Sequence, residues 1–295
     1  MTPPRLASRF DATSADGTVV RAWSNDQDGV PLLVSNGLGS VPGAWPALLA
    51  PGCGYRAVTW YHRGTFDTPR PADRSRVRVQ DHVDDLVAVM DAAGMERAVV
   101  ASWSIGVNVA FEAARQHPDR VAGLLGVAGV PGGTFATMGG PLRVPRALRS
   151  PLGGAAARTT RLAGPALSWL TPRVPVDARL AWLLAHSGFM LPGARTDHLV
   201  PMLREFLQQD WGWYMTLALG AKEHAPMDTS FLQVPVTLVA GRSDVLTSVH
   251  DVTEAAARIP HAEVVVLPGS HFLPLEHPQR VQDALAALVA RTDLA

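Results

Sequence analysis

Two patterns of hydrophobic spacing divide the chain. Before about residue 130, and again from about 231, short runs of uniformly apolar residues alternate with amphipathic stretches. Pro31-Leu32-Leu33-Val34-Ser35, the run ending at Val99-Val100, residues 121–130 and Pro235-Val236-Thr237-Leu238-Val239-Ala240 lack the alternation of a half-wet strand. Such runs suit strands buried on both faces of a parallel sheet. Residues 8–23 read instead as a β-hairpin turning at Ala15-Asp16-Gly17-Thr18, and residues 55–61 as a further strand. Residues 79–93 predict a helix, with Val83, Leu86, Val87 and Met90 on one stripe, acidic residues elsewhere, and Gly94 as its stop. Helices over 249–258 and 278–290 and a strand over 262–267 complete the second stretch. The order β, β, β, β, α, β, α, β predicts an α/β fold, a mostly parallel doubly wound sheet with an antiparallel start.

Between residues 131 and 230 glycine pairs and prolines break the chain into short helical pieces, and no strand is predicted. Trp169, Trp182, Trp211 and Trp213 lie here, with Met138, Met190, Met202, Met215 and Met227. We read residues 1–130 and 231–295 as one α/β core and 131–230 as a helical cap inserted over the sheet. Its aromatic and thioether side chains either pack a helical layer or wall an adaptable apolar pocket.

The candidate chemistry centres on Ser102-Trp103-Ser104-Ile105-Gly106. A β-branched run stops there and helical spacing resumes at Ile105, Val109 and Phe111. A nucleophilic serine at a sharp strand-to-helix turn needs small residues two before and two after it, because strand and helix pass closely. Ser102 and Gly106 meet that need, with serine in the place of the usual first glycine. A serine hydroxyl also needs an imidazole to take its proton and a carboxylate to fix the imidazole's tautomer. In a parallel sheet these partners follow the C-terminal ends of other strands. Asp244 follows the strand ending at Ala240, and His271 follows the strand ending at Leu267. The chain order Ser104, Asp244, His271 is that of a sheet-based triad.

On these residues the chain resembles the α/β-hydrolase superfamily, in its capped serine esterase and peptidase-like branch. The matching stretches are SNGLGSVPGAW, YHRGTFDTP, SWSIG, AGRSD and GSHFLPLEHP, and the likeness covers nearly the whole length. The resemblance implies Ser104 as nucleophile, Asp244 as triad acid and His271 as base, with the backbone N–H groups of Leu38 and Ile105 as the oxyanion hole. Asn36 stands where the family reads His and is expected to bond its own turn. Val107 stands in place of a second glycine after the elbow. Dehalogenases and epoxide hydrolases of similar pattern use Asp as nucleophile, so Ser104 argues against both. His62 and Arg63 resemble a structural Arg-Gly turn; Glu205, Asp210, His224 and Asp228 read as helix faces and caps, or as groups gating substrate; His277 reads as the start of the helix after Pro278.

Composition narrows the function classes. The 295 residues carry no net charge and no basic tail, which leaves nucleic acid without a footprint. Cys53 is the single cysteine and no disulfide can form within the chain. The first ten residues lack an apolar leader and no later run spans a bilayer, so a cytoplasmic protein without integral membrane insertion is expected. No imidazoles or carboxylates show metal-ligand spacing and no glycine-rich phosphate loop precedes a helix, so neither metal nor cofactor is expected. From Arg143 to Arg173 there are six arginines and no carboxylate, either a solvated face or one drawn to an anionic substrate or lipid surface. The activity expected is hydrolysis of a small-molecule apolar carboxylic ester through an acyl-enzyme. The same triad would also serve amides, lactones, thioesters or carbon–carbon bonds, and a capped pocket could bind a ligand and signal without turnover. Nothing in the sequence sets the oligomeric state.

Overall fold

The computed structural model describes residues 8–294. The N-terminal reading for residues 1–7 lies outside them. Strands β1 (Ser8–Thr13) and β2 (Val19–Ser24) form the expected antiparallel hairpin. Its turn is closed by Gly17 N–H to Ser14 C=O and by Asp16 accepting from Thr18 N–H. After β3 (Val30–Ser35) the chain makes only a 3-10 turn at Pro42–Ala44 before β4 (Tyr55–Trp60). Helix α1 (Val79–Ala92) starts where Asp81 accepts from the Arg78 N–H, a carboxylate offsetting one of the unpaired amides of the first turn. Then come β5 (Ala98–Trp103), α2 (Ile105–Gln116) and β6 (Val121–Val127).

Residues 131–230 contribute helices and, among the described residues, no strand. These are α3 (Arg146–Leu162), α4 (Gly164–Leu170), α5 (Ala178–Ala185), α6 (Thr196–Phe206) and α7 (Trp211–Lys222). Asp177 and Asp210 cap α5 and α7 by accepting from backbone amides. The chain then returns through β7 (Val236–Gly241), α8 (Val249–Ala256), β8 (Glu263–Leu267), a single turn α9 (Leu273–Glu276) and α10 (Pro278–Val289). The short α9 was not expected from the sequence.

The eight strands form one sheet in the order β1-β2-β4-β3-β5-β6-β7-β8. Both pairings of β2 are antiparallel and every pairing from β4 to β8 is parallel. One face carries a core of Leu33, Val100, Leu124 and Leu238 against α1, α2 and α8; the other carries Leu32, Val99, Leu125 and Val239 against α10. Residues from β5, β6 and β7 thus fill both cores, and this accounts for their unbroken apolar sequence. The C-terminal ends of β5, β7 and β8 lead into the loops carrying Ser104, Asp244 and His271.

Candidate active site

Ser104 lies between β5 and α2 with φ 56° and ψ −122°, a conformation that L-residues seldom occupy. It is held because its N–H donates to Val127 C=O (2.9 Å) and because its neighbours are small. A Cβ at Gly106 would lie 2.0 Å from the Ser35 carbonyl oxygen, so no side chain fits where α2 crosses β3. Ser102 occupies the other tight position; its hydroxyl donates to Leu125 C=O (2.7 Å), which satisfies a fully buried polar group. Val107, the apparent departure, is accommodated from the facing side. A Cβ at Gly129 would come within 2.5 Å of it, so the missing small residue has moved across the contact.

The structure brings the three sequence candidates together. His271 Nε2 is 2.9 Å from Ser104 Oγ, and His271 Nδ1 is 2.8 Å from Asp244 Oδ2. Asp244 has no exposed surface, and its other oxygen accepts from the amides of Leu246 and Thr247 at 2.8 Å each. With Oδ1 occupied, Oδ2 is the oxygen left for the imidazole. The His271 loop is fixed in turn by Trp103, whose indole donates to the His271 carbonyl (2.8 Å), and by Glu276. The buried Glu276 carboxylate accepts from the Ser270 amide and hydroxyl and from the Leu191 amide. The sequence reading missed Trp103 and Glu276 as supports, although both lie within stretches it singled out.

Leu38 and Ile105 both line the cavity beside Ser104, and neither backbone N–H donates to an acceptor within the described residues. Ile105 opens α2, where unpaired amides and the helix dipole favour negative charge. The Leu38 loop touches the elbow directly, since a Cβ on Gly37 would meet Ser104 Cβ at 3.3 Å. Contrary to the expectation that it would bond its own turn, Asn36 bridges outward. Its amide donates to Thr59 Oγ1 and its carbonyl accepts from Trp45 Nε1, each at 2.7 Å. The asparagine anchors the loop to β4 and to the turn that follows. Gly39, at φ 70°, lies where a Cβ would strike Tyr214 at 2.6 Å, so α7 packs onto the loop backbone itself.

Over these groups lies a cavity of about 600 Å³. Apart from His271 and Tyr214 no titratable side chain lines it; Met138, Met190, Met202 and Met215 do, with Phe135, Phe189, Phe206 and Phe272. None of the four tryptophans of residues 131–230 reaches it, contrary to the reading of them as pocket wall. Trp169 and Trp182 are exposed, Trp211 packs on Phe206 and Tyr214, and Trp213 donates to Arg63 C=O. Among the described residues no group of His, Cys, Asp and Glu is arranged to hold a metal ion.

A family model for the alpha/beta hydrolase fold matches residues 30–278. The chain belongs to the α/β-hydrolase fold family. This α/β-hydrolase is 36% identical over 99 residues to the protein named as the carbamate hydrolase RutD of Caulobacter segnis, covering 33% of the chain and 37% of that protein. It is 34% identical over 138 residues to epoxide hydrolase B of Mycobacterium tuberculosis, covering 40% of the chain and 37% of that protein. These alignments span little more than a third of each curated relative. The solved structure of Est816, an N-acyl homoserine lactone degrading enzyme, superposes with a TM-score of 0.70 at 25% identity, covering 94% of this chain and 99% of that one.

The remaining candidates of this α/β-hydrolase, His224 among them, lie outside the cavity lining. Arg63 has no exposed surface and bonds Asp85, Asp16, Ser14 and the carbonyls of Arg76 and Asp81. His62 is buried beside His82; burial first, and the His82 charge second, lower its pKa to about 3. Asp210 caps α7 and pairs with Arg70, Asp228 accepts from the Ser230 amide, and Glu205 accepts from the Tyr61 hydroxyl. Burial pushes the Glu205 carboxyl up. His277 precedes α10 and faces the Pro268 carbonyl. Among the described residues no helix is long and apolar enough to cross a membrane.

Proposed function

We propose that this α/β-hydrolase is a cofactor-independent serine hydrolase that cleaves a carboxylic ester through an acyl-enzyme. The observation that carries the reading is the hydrogen-bonded series Ser104 Oγ, His271 Nε2, His271 Nδ1, Asp244 Oδ2 at the floor of an apolar cavity. Ser104 Oγ attacks the ester carbon while its proton passes to His271 Nε2, and the carbonyl oxygen becomes an oxyanion facing the amides of Leu38 and Ile105. The carbon–oxygen bond to the leaving group breaks as Nε2 returns that proton to the departing alkoxide. Water then attacks the acyl-enzyme, giving a proton to Nε2 that goes back to Ser104 as the acid leaves. Asp244 holds Nδ1–H and favours the imidazolium formed in each half.

Residues 131–230 act in this reading as a cap whose methionines shape the acyl pocket. The cavity volume falls within the range that takes a drug-sized ligand, which favours a small to medium apolar acyl chain. A cyclic ester is the second reading, favoured by the full-length likeness to Est816, since a lactone presents the same carbonyl to Ser104. The epoxide hydrolase likeness is not carried over, because Ser104 stands where those enzymes place a carboxylate.

A p-nitrophenyl ester series from acetate to palmitate, with wild type beside Ser104→Ala, tests the proposal. Loss of about 10⁶-fold in kcat is expected for Ser104→Ala or His271→Ala, and about 10⁴-fold for Asp244→Asn. Ester turnover surviving in Ser104→Ala overturns the mechanism. Folded wild type that turns over no ester, yet gains thermal stability with a ligand, moves the assignment to a binding protein.

A further inference from the structure

The outer face of the helical segment carries a surface that the proposed chemistry does not use. Helices α3 and α4 are nearly continuous, interrupted only at Ala163, whose backbone remains right-handed helical. Along them Leu148, Leu152, Ala155, Thr159, Leu162, Ala166 and Trp169 recur at alternating steps of four and three, and every one is exposed. Positions so spaced share one face of a helix. Leu162 is 81% exposed, Trp169 63%, Leu152 56% and Leu148 49%. A surface helix ordinarily turns such a stripe inward. Here the inward face is taken by Gly153, Ala157 and Thr160, which line the cavity.

Charge identifies what would cover the stripe. From Arg143 to Arg173 there is no carboxylate. Arg146 and Arg149 are neutralised by Asp251 and Glu254. Arg143, Arg158, Arg161 and Arg173 have no acidic partner among the described residues. The Arg173 guanidinium lies 4.2 Å over the Trp169 ring. A second copy of the stripe would supply apolar area but set guanidinium against guanidinium, with no acid on either side. An anionic bilayer supplies acyl chains for the leucines and Trp169 and headgroups for the arginines, whose stems reach upward past the apolar face.

We propose that α3 and α4 form an in-plane interfacial helix that docks this protein on anionic lipid, with Leu148, Leu152, Leu162 and Trp169 entering the headgroup region and Arg158 and Arg161 contacting phosphates. The inner face of the same helix walls the cavity. Docking would therefore bring the site beside amphiphilic esters, a consequence that rests on the proposed hydrolase reading, whereas docking itself does not.

Sedimentation with large unilamellar vesicles separates the two. The expected result is binding to vesicles containing about a third phosphatidylglycerol, little binding to phosphatidylcholine alone, and weakening as salt rises. Arg158→Gln with Arg161→Gln should lower the partition coefficient about 30-fold, taking about fivefold for each arginine near an anionic surface. Leu162→Ser with Trp169→Ser should abolish it. None of these side chains lines the cavity, so lipid-free p-nitrophenyl ester turnover should persist in both variants and reports that they fold, as would unchanged thermal melts if wild type proved inactive. Equal binding to both vesicle types, or none to either, overturns the proposal. Wild-type self-association that Leu162→Ser with Trp169→Ser dissolves, without vesicle binding, assigns the stripe to a second copy instead.

Discussion

Strands β5, β6 and β7 are buried at every residue, whereas in α3 only Gly154 and Ala157 of 17 residues are buried, and in α6 only Leu199 of eleven. The contrast separates two structural demands. Holding Ser104 at a positive φ, with imidazole and carboxylate within hydrogen-bond reach, needs a scaffold that cannot relax. Walling a cavity needs side chains that lack neighbours on one side, and these give up dispersion contacts in proportion. The sheet is specified by what touches it; the helical segment is left with space on its inner face and solvent on its outer one.

Matched glycine substitutions give the largest test of that contrast. In Gly106→Ala the new Cβ meets backbone oxygen at 2.0 Å, so β3 or α2 must move. A loss of about 3 kcal/mol or more is expected, as for severe overpacking. In Gly153→Ala the new Cβ meets Phe135 and Met138 side chains at 3.0 and 3.3 Å, which can rotate away. Alanine also favours helix by about 1 kcal/mol, so the net change should stay within about 1 kcal/mol of zero. Urea unfolding of the pair decides it. Equal losses would mean that the helical segment is packed as tightly as the sheet.

The same contrast explains what could be read from sequence. β-branched runs and turn residues announced most strands to within a residue or two, the reading of 121–130 overshooting β6 by three residues; the central strands were the plainest because they fill two cores and tolerate little else. The elbow was legible because a strained serine demands small neighbours, and Asp244 and His271 followed from their places after strands. What escaped depends on contacts between distant parts. That Gly129 makes room for Val107, that Asn36 reaches Thr59 and Trp45, and that Glu276 ties the His271 loop to Leu191 have no local spacing to reveal them. Tryptophan and methionine content suggested an apolar layer, but composition does not tell an inner face from an outer one: four of the methionines line the cavity, whereas Trp169 and Trp182 lie exposed.

The core also buries titratable groups, so acid should attack it through His62. In the folded state this imidazole stays neutral down to about pH 3, while in the unfolded chain it takes a proton near its ordinary 6.5. Between those values the unfolded state binds the extra proton, so stability falls as pH falls, by up to about 1.4 kcal/mol per unit from this group. Urea titrations at pH 7, 6 and 5 should show wild type losing more stability than His62→Gln. Parallel curves would remove His62 as a source of acid sensitivity and point to the carboxylate network around Arg63.

The smallest expected effect lies at the seam where the two regions meet. Tyr214 of α7 donates its hydroxyl to the Leu38 carbonyl at 3.4 Å, and Gln209 donates to the Gly39 carbonyl at the same distance. The loosely buried region therefore holds the backbone of the cavity-lining loop to which the proposed oxyanion hole assigns the Leu38 amide. These bonds are long, so Tyr214→Phe should cost kcat only about threefold, near the low end for one neutral hydrogen bond, with KM little changed. Burial pushes the Tyr214 pKa up to about 12, so the hydroxyl remains a donor throughout an ordinary assay range. The ratio of wild-type to Tyr214→Phe kcat should accordingly be flat from pH 6 to 10. A flat ratio near three supports positioning of the Leu38 amide through its own peptide chain. A ratio of one reduces the seam to packing around Gly39, while a ratio that collapses at alkaline pH would mean that the tyrosine ionises and is wetter than its surroundings imply.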